Sequence, residues 1–477
     1  MYNGSSAQEL AATLAREIAD IPAGTRIPAH RDLVRRFGVS ATTVSRSLAI
    51  LTQRGLITTR PGAGSYRAET PPSQRAGDVS WQEAALELAT GIDTAGAPRS
   101  FKAAPMLATL TTPGPDVIDL NGGYLHPELQ PLAQLTAALT RTARRRETWD
   151  RPPVGGIPDL RDWFAATIGG GLHRNDILVC AAGQSALATS LRALCPPDAP
   201  VVIESPTYPG IIAAIRAAGL RPIPVPLDHE GLRGDYLDEA LARTRAKAII
   251  VQPLFQNPTG ASLSVARQND IRRIAREHGA FVIEDDFARY MTHADASPPP
   301  PPMIEDDPDG TVIHIRSLTK VTSPNLRVSA LAARGPVAAK LRAALLIDTM
   351  FVPAPLQYTA LDVVTAPGWK RTLSTLASAL EQRRNTATAA VSATFGPHAL
   401  AGRPRGGYHL WVSLPGHLDG QQLASAAMAH GVAITPGENY YSTDNSPPHA
   451  RLSYVAAPSA TDVDAGIRRL QPLISEP

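Results

Sequence analysis

Residues 314–331 read HIRSLTKVTSPNLRVSAL. Apolar, β-prone flanks (VIHI before, RVSALAA after) frame a loop with one lysine, Lys320, the hydroxyls of Ser317 and Thr319 before it, and Arg327 seven residues on. Two solvated charges on a connection would explain the pattern. So would a site at a strand end, where the amine reacts and the guanidinium forks onto a phosphate. An amine that attacks a carbonyl must shed its proton, and either burial or a nearby cation such as Arg327 lowers its pKa. The surrounding chain has to decide.

Upstream, apolar β runs alternate with helical patterns: DILVCAA, APVVIES, AKAIIVQP, GAFVIEDD, then GTVIHIRS. Such alternation predicts an α/β body with a mainly parallel sheet covered by helices. Ligands of these sheets bind at the carboxyl ends of the strands, so the informative residues should follow each run. Gly183 and Gln184 follow the first and open a helix whose N–H groups could cradle a phosphate, although glycine is common at such turns. Tyr208, held between two prolines after the second, could stack on a flat ring or simply pack the turn. After the third comes FQNPTG, where Asn257 is placed to hydrogen-bond a phenolate oxygen. The fourth ends in Glu284-Asp285-Asp286; a carboxylate buried there needs a partner, which a protonated pyridine nitrogen would supply.

In order and spacing these motifs resemble fold-type I aminotransferases, the enzymes dependent on pyridoxal 5′-phosphate (PLP), over roughly residues 115 to 475. The resemblance implies Tyr208 on the ring face, Asn257 at the phenolate, Asp285 at the pyridine nitrogen and Lys320 as the catalytic residue bonded to the cofactor aldehyde. Gly183, Gln184, Ser317 and Arg327 would hold the phosphate. RPRGGYHLWVSLP, GVAITPGENYY and HARLSYV resemble the family's small domain, where Arg451 matches the arginine that grips a substrate carboxylate. Two positions depart from the pattern. Phe287 stands where the family has a tyrosine that bonds the phenolate oxygen, with Tyr290 as the nearby substitute. TWDRPPV precedes GGIPDLR where a partner-subunit tyrosine is usual, so Trp149 or Arg151 would stand in. Both departures weigh more against efficient transamination than against cofactor binding.

The N-terminal end is a different module. Ser6-Ala7-Gln8-Glu9 reads as a capping box before Leu10, Leu14 and Ile18, so a first helix is expected. Next come a helix from Ala29 to Phe37, a turn at Gly38, a second helix capped by Ser40 with Val44, Leu48 and Leu51 on one face, and two strands around Pro61-Gly62-Ala63-Gly64. Between Arg26 and Arg67 eight arginines meet one acid, Asp32, although the whole chain is only +3. A basic head on a slightly acidic body points to a polyanion. The stretch IPAHRDLVRRFGVSATTVSRSLAILTQRGLITTRPGAGSY resembles the winged helix-turn-helix of GntR-type regulators. That implies Arg31 on the DNA, Ser40 to Arg46 in the major groove, and the glycine wing (Gly62, Gly64) near the minor groove. Ala41 replaces a common arginine, leaving Thr42, Thr43 and Arg46 to carry the readout.

The expected domains are 1–68 (winged helix-turn-helix), 69–115 (a Pro/Ala/Thr/Gly-rich linker with one docking helix, SWQEAALEL) and 116–477 (the PLP-binding body, its small subdomain from about 371). SPPPPP at 297–302 is expected to be a stiff surface loop. Hydrophobic content of 43% with 19% charged residues describes a globular chain, and no apolar run reaches membrane-spanning length. Cys180 and Cys195 fit no disulfide framework or metal-ligand spacing, so no metal is expected and a cytoplasmic protein is. A GntR-type head on an aminotransferase-like body resembles the MocR subfamily of transcription regulators. This implies a head-to-tail homodimer on a double-stranded operator, its affinity modulated by an amino compound or by PLP itself. The rival reading is a working aminotransferase that carries a DNA-binding head.

Overall fold

The computed structural model describes residues 7–19, 21–60, 63–68, 99–444 and 446–474. The chain divides into two units between Asp93 and Thr94. In the first, the helix Ala7–Ala19 buries Leu10, Leu14 and Ile18, the period expected of one apolar face. Ser6 of the expected capping box lies outside the described residues. The helix His30–Phe37 ends because Gly38 takes a left-handed conformation (φ +66°) and returns its N–H to the Val34 carbonyl. Two residues later the Ser40 hydroxyl accepts from the Thr43 amide at 3.1 Å and starts the helix Ala41–Gln53. Strands β1 (Ile57–Arg60) and β2 (Gly64–Arg67) pair antiparallel as the wing. Leu10, Leu14, Leu33, Val44, Leu51 and Ile57 fuse these elements into one small core.

The second unit begins for description at Arg99. Of the expected linker, 69–98 lies outside the described residues, SWQEAALEL included. Residues 99–115 run along the body: the helix Ala104–Ala108 is held where Asn121 donates its side-chain amide to the Ala108 carbonyl at 2.6 Å. After β3 (Ile118–Asp119) come β4 (Ile177–Cys180), β5 (Pro200–Ser205), β6 (Arg221–Asp228), β7 (Gly231–Leu232), β8 (Ala248–Val251), β9 (Phe281–Asp286), β10 (Val312–Ser317) and β11 (Ser329–Ala332). They form an eight-stranded sheet in the order β4-β11-β10-β9-β8-β5-β6-β7. Strands β10, β9, β8, β5 and β6 are mutually parallel, while β11 runs against both its neighbours. Apart from β6, the strands are buried along most of their length, and two apolar cores cover the two faces, as a parallel sheet between helices requires.

The helix Trp369–Phe395 leads to a smaller lobe. There β12 (His409–Ser413), β14 (Thr435–Pro436) and β15 (His449–Ser453) form an antiparallel sheet in the order β12-β15-β14, while β13 (Val432–Ala433) pairs with β3. Cys180 and Cys195 are buried as packing residues, and burial pushes the Cys180 thiol up to about 12. Among the described residues no helix is long and apolar enough to cross a membrane.

Candidate active site and nucleic-acid interface

The carboxyl ends of β4, β5, β8, β9 and β10 open into one cavity, and the sequence-predicted residues meet there. Gly183, Gln184, Tyr208, Asn257, Asp285, Ser317, Lys320 and Arg327 all line it. The Lys320 ammonium reaches the Gly123 carbonyl at 2.7 Å and lies 3.9 Å from the centre of the Tyr124 ring. Burial lowers its pKa to about 7, with Arg451 and Arg327 adding to the effect and Asp285 opposing it. The amine is therefore part neutral at physiological pH, as a carbonyl-binding lysine requires.

Across the cavity, burial raises the Asp285 carboxyl to about 6, aided by Asp286 and opposed by a hydrogen bond from Gln252 and by Lys320. Gln252 organises this wall. Its amide nitrogen donates to Asp285 at 2.9 Å, and its carbonyl oxygen accepts the Asn257 backbone N–H at 3.0 Å. Behind it Glu204, pushed up to about 8 chiefly by burial, accepts from the Gln252 backbone N–H at 3.2 Å.

Backbone strain gathers around the same cavity. Ala182, Phe255 and Arg327 have positive φ values of 67°, 49° and 49°. Non-glycine residues there cost of order 1–3 kcal/mol each and persist where the surroundings over-determine them. Arg327 is held with its guanidinium donating to the Ala181 carbonyl at 3.4 Å, beside Gly183 and Gln184.

PLP fits this arrangement. The Thr319 hydroxyl and the Asn257 side-chain oxygen are buried without a protein partner and line the cavity. The carboxylate Asp285 suits a protonated ring nitrogen, the face of Tyr208 suits a flat ring, and Ser317, Thr319 and Arg327 suit a phosphate. A side chain at Gly123 would sit 3.3 Å from the Tyr408 hydroxyl and 3.5 Å from the Lys320 amine, filling the space where the amine must work.

Sequence reasoning missed Tyr124, Gln252 and Tyr408, all of which line the cavity. The signal for Tyr408 was the glycine pair before it. A Cβ at Gly406 would come within 2.2 Å of the Phe255 ring, so only glycine lets that turn close and deliver Tyr408. Phe287 lines the cavity and meets Tyr408 edge-on at 6.1 Å. Tyr290, the expected substitute for its missing hydroxyl, does not line the cavity. It turns to the other side, packing on Trp369 at 6.3 Å with the Arg316 guanidinium near its face. Arg451 does not line the cavity; it is buried on β15, bonded to the Asn121 carbonyl and to Thr435. Trp149 is 72% exposed and, like Arg151, lies outside the lining.

In the N-terminal unit, Arg31, Thr42 and Arg46 project into solvent, while Ser40 and Thr43 share a hydroxyl contact at 2.8 Å within the helix cap. His30 braces the two helices, its ring nitrogen 2.9 Å from the Ser45 hydroxyl. Gly64 opens β2 with φ +108°; Gly62 lies outside the described residues. Exposed Arg31, at the start of the helix His30–Phe37, and exposed Arg46, on the helix Ala41–Gln53, suit phosphates and base edges.

The profile of the family "Aminotransferase class I and II" matches residues 115–470, and that of "Bacterial regulatory proteins, gntR family" matches residues 6–66. The uncharacterised HTH-type transcriptional regulator YdfD of Bacillus subtilis is 26% identical over 95% of this chain and 93% of its own length. YdcR of Escherichia coli, with the same description, is 28% identical over 92% of each. Among solved structures, LysN, the α-aminoadipate aminotransferase of Thermus thermophilus complexed with N-(5′-phosphopyridoxyl)-L-leucine, superposes with a TM-score of 0.73 at 27% identity. The match covers 78% of this chain and 95% of LysN.

Proposed function

Because the chain belongs to the aminotransferase class I and II family and carries a gntR-type domain at its N-terminus, we propose a PLP-dependent transcription regulator whose ligand state sets its affinity for operator DNA. The observation that supports the reading is the pairing, in one chain, of a cavity lined by Lys320, Asp285, Asn257 and Arg327 with a winged helix-turn-helix. When bound, PLP supplies an aldehyde that takes up amines reversibly. Lys320 is the residue that binds it, with Asp285 holding the ring nitrogen, Tyr208 and Asn257 orienting the ring, and Gly183, Gln184, Ser317 and Arg327 gripping the phosphate. Arg451, buried behind the cavity yet close enough to depress the Lys320 pKa, would meet a ligand carboxylate only by exchanging its bonds to Asn121 and Thr435.

An amino compound held in the cofactor-loaded cavity would add its own groups between the lobes. If those groups fit one arrangement of the lobes better than another, the population shifts by that difference in affinity. Two bodies assembled head-to-tail would carry two heads, and their spacing would decide whether both half-sites are read together. A DNA-binding role supports a cytoplasmic location.

The second reading, an aminotransferase with a DNA-binding head, draws support from the presence of Lys320 and Asp285 in one cavity. Phe287 weighs against efficient turnover, since its ring offers no hydroxyl to the cofactor oxygen. Absorbance of the PLP-loaded protein separates the two. A regulator shows a shift of the cofactor band with its effector and stops there. Conversion to the colourless amine form, reversed by a keto acid, would assign the chain to the enzymes instead.

A further inference from the structure

On the far side of β9 and β10 from the cofactor, the body holds a second cleft of about 660 Å³, a size typical of ligand sites. Arg289, Arg316 and Lys370 line it, and among the described residues no acidic one does. Its apolar walls come from Trp163, Tyr290 and Trp369, with Tyr290 and Trp369 meeting edge-on.

The two arginines are anchored and yet unsatisfied. Arg316, with a side chain 1% exposed, donates to Asp286 at 3.0 Å, and its Nε has no protein partner. Arg289 donates Nε to the same carboxylate oxygen at 2.5 Å and Nη1 to the Pro300 carbonyl at 2.7 Å, and its Nη2 has no protein partner. Guanidinium N–H groups buried without acceptors are costly, so a polar occupant that accepts from both would be stabilised. The SPPPPP segment thus does more than decorate the surface, since its Pro300 carbonyl fixes one of the pair.

A metal does not suit the cluster behind them. Glu284, Asp286 and His314 could offer three ligand atoms within 4.8 Å of one another. However, Asp286 Oδ2 already accepts from two guanidiniums, and a dication beside them would be repelled.

We propose that this cleft is a second ligand site for a small organic carboxylate with a flat apolar body. The carboxylate accepts from Arg316 and Arg289, and the body lies against Trp163, Tyr290 and Trp369. Lys370, exposed at the mouth, adds attraction for the anion. The site is separate from the cofactor and needs no chemistry there. Its position makes it a candidate control point: Asp286, which both arginines hold, is the chain neighbour of Asp285 in the cofactor wall.

Calorimetric titration of the full-length, PLP-loaded chain with benzoate tests this, with tryptophan fluorescence as a second readout because Trp163 and Trp369 line the cleft. Benzoate is expected to bind at one site per chain and to quench the fluorescence. Ala366→Trp, which fills the cleft, abolishes the binding. Lys370→Glu, at an exposed position that leaves folding intact, weakens it about tenfold, as reversal of a charge at the rim would. The PLP-free chain binds benzoate equally well, because the cleft is separate from the cofactor cavity. The proposal is overturned if benzoate fails to bind at millimolar concentration, or if binding survives Ala366→Trp. Inorganic phosphate binding more tightly than benzoate would also overturn it, since the aromatic walls would then contribute nothing.

Discussion

The behaviour of Lys320 follows from where its amine is placed. The unfolded chain keeps this lysine protonated up to its ordinary value of 10.5, whereas the folded site releases the proton near 7. Between those values the unfolded state binds more protons, so stability without cofactor rises with pH. Lys320→Met should therefore raise the melting temperature of the cofactor-free protein most at pH 7 and below, with the advantage shrinking toward pH 10. A pH-independent difference would show that the amine carries no such cost. Uptake of PLP should speed up as pH rises from 6 to 8, because only the neutral amine attacks the aldehyde; stopped-flow absorbance reads this directly. Asp285→Ala should weaken PLP about 10- to 100-fold, the range for a hydrogen bond to a charged group. An unchanged affinity would remove Asp285 from the site.

At the scale of elements, much was legible because strand ends and helix caps are local features. The Gly38 turn and the Ser40 cap are written in a few adjacent residues, and the structure reproduces both. The eight residues assigned to the cofactor follow β runs that a parallel sheet aligns at one edge. What escaped was set by long-range packing. Gln252 is the first residue past β8 and gains its role only because β9 brings Asp285 beside it. Tyr290 was misplaced because three residues past β9 the chain turns in the short helix Arg289–Met291 and carries the ring to the opposite face. Gly406→Ala tests the packing that delivers Tyr408. Its Cβ would overlap the Phe255 ring, so a loss of about 1–3 kcal/mol in stability and a weaker hold on PLP are expected. Denaturant unfolding that matches the unsubstituted protein would contradict this. On the second helix of the head, Arg46→Ala should weaken operator binding by about 1–3 kcal/mol if Arg46 reads a base edge. Anisotropy titrations showing no change would exclude that helix position from the contact.

For the molecule as a whole, the fusion is the functional statement. A winged helix-turn-helix alone reads a short half-site weakly, and an aminotransferase-like body alone has no reason to carry eight arginines on one short segment. Transcription regulation accounts for both modules, and relatives that match this chain over nearly its full length are described as transcriptional regulators. The central claim is that occupancy at Lys320 alters DNA affinity. The direct test measures binding of the full-length protein to its own upstream DNA at fixed salt, with and without PLP, for the natural chain and for Lys320→Ala. The account predicts that PLP changes the affinity of the natural chain, and that Lys320→Ala still binds DNA yet responds much less. An affinity unmoved by PLP and by every amino compound added with it, in both proteins, would contradict the account.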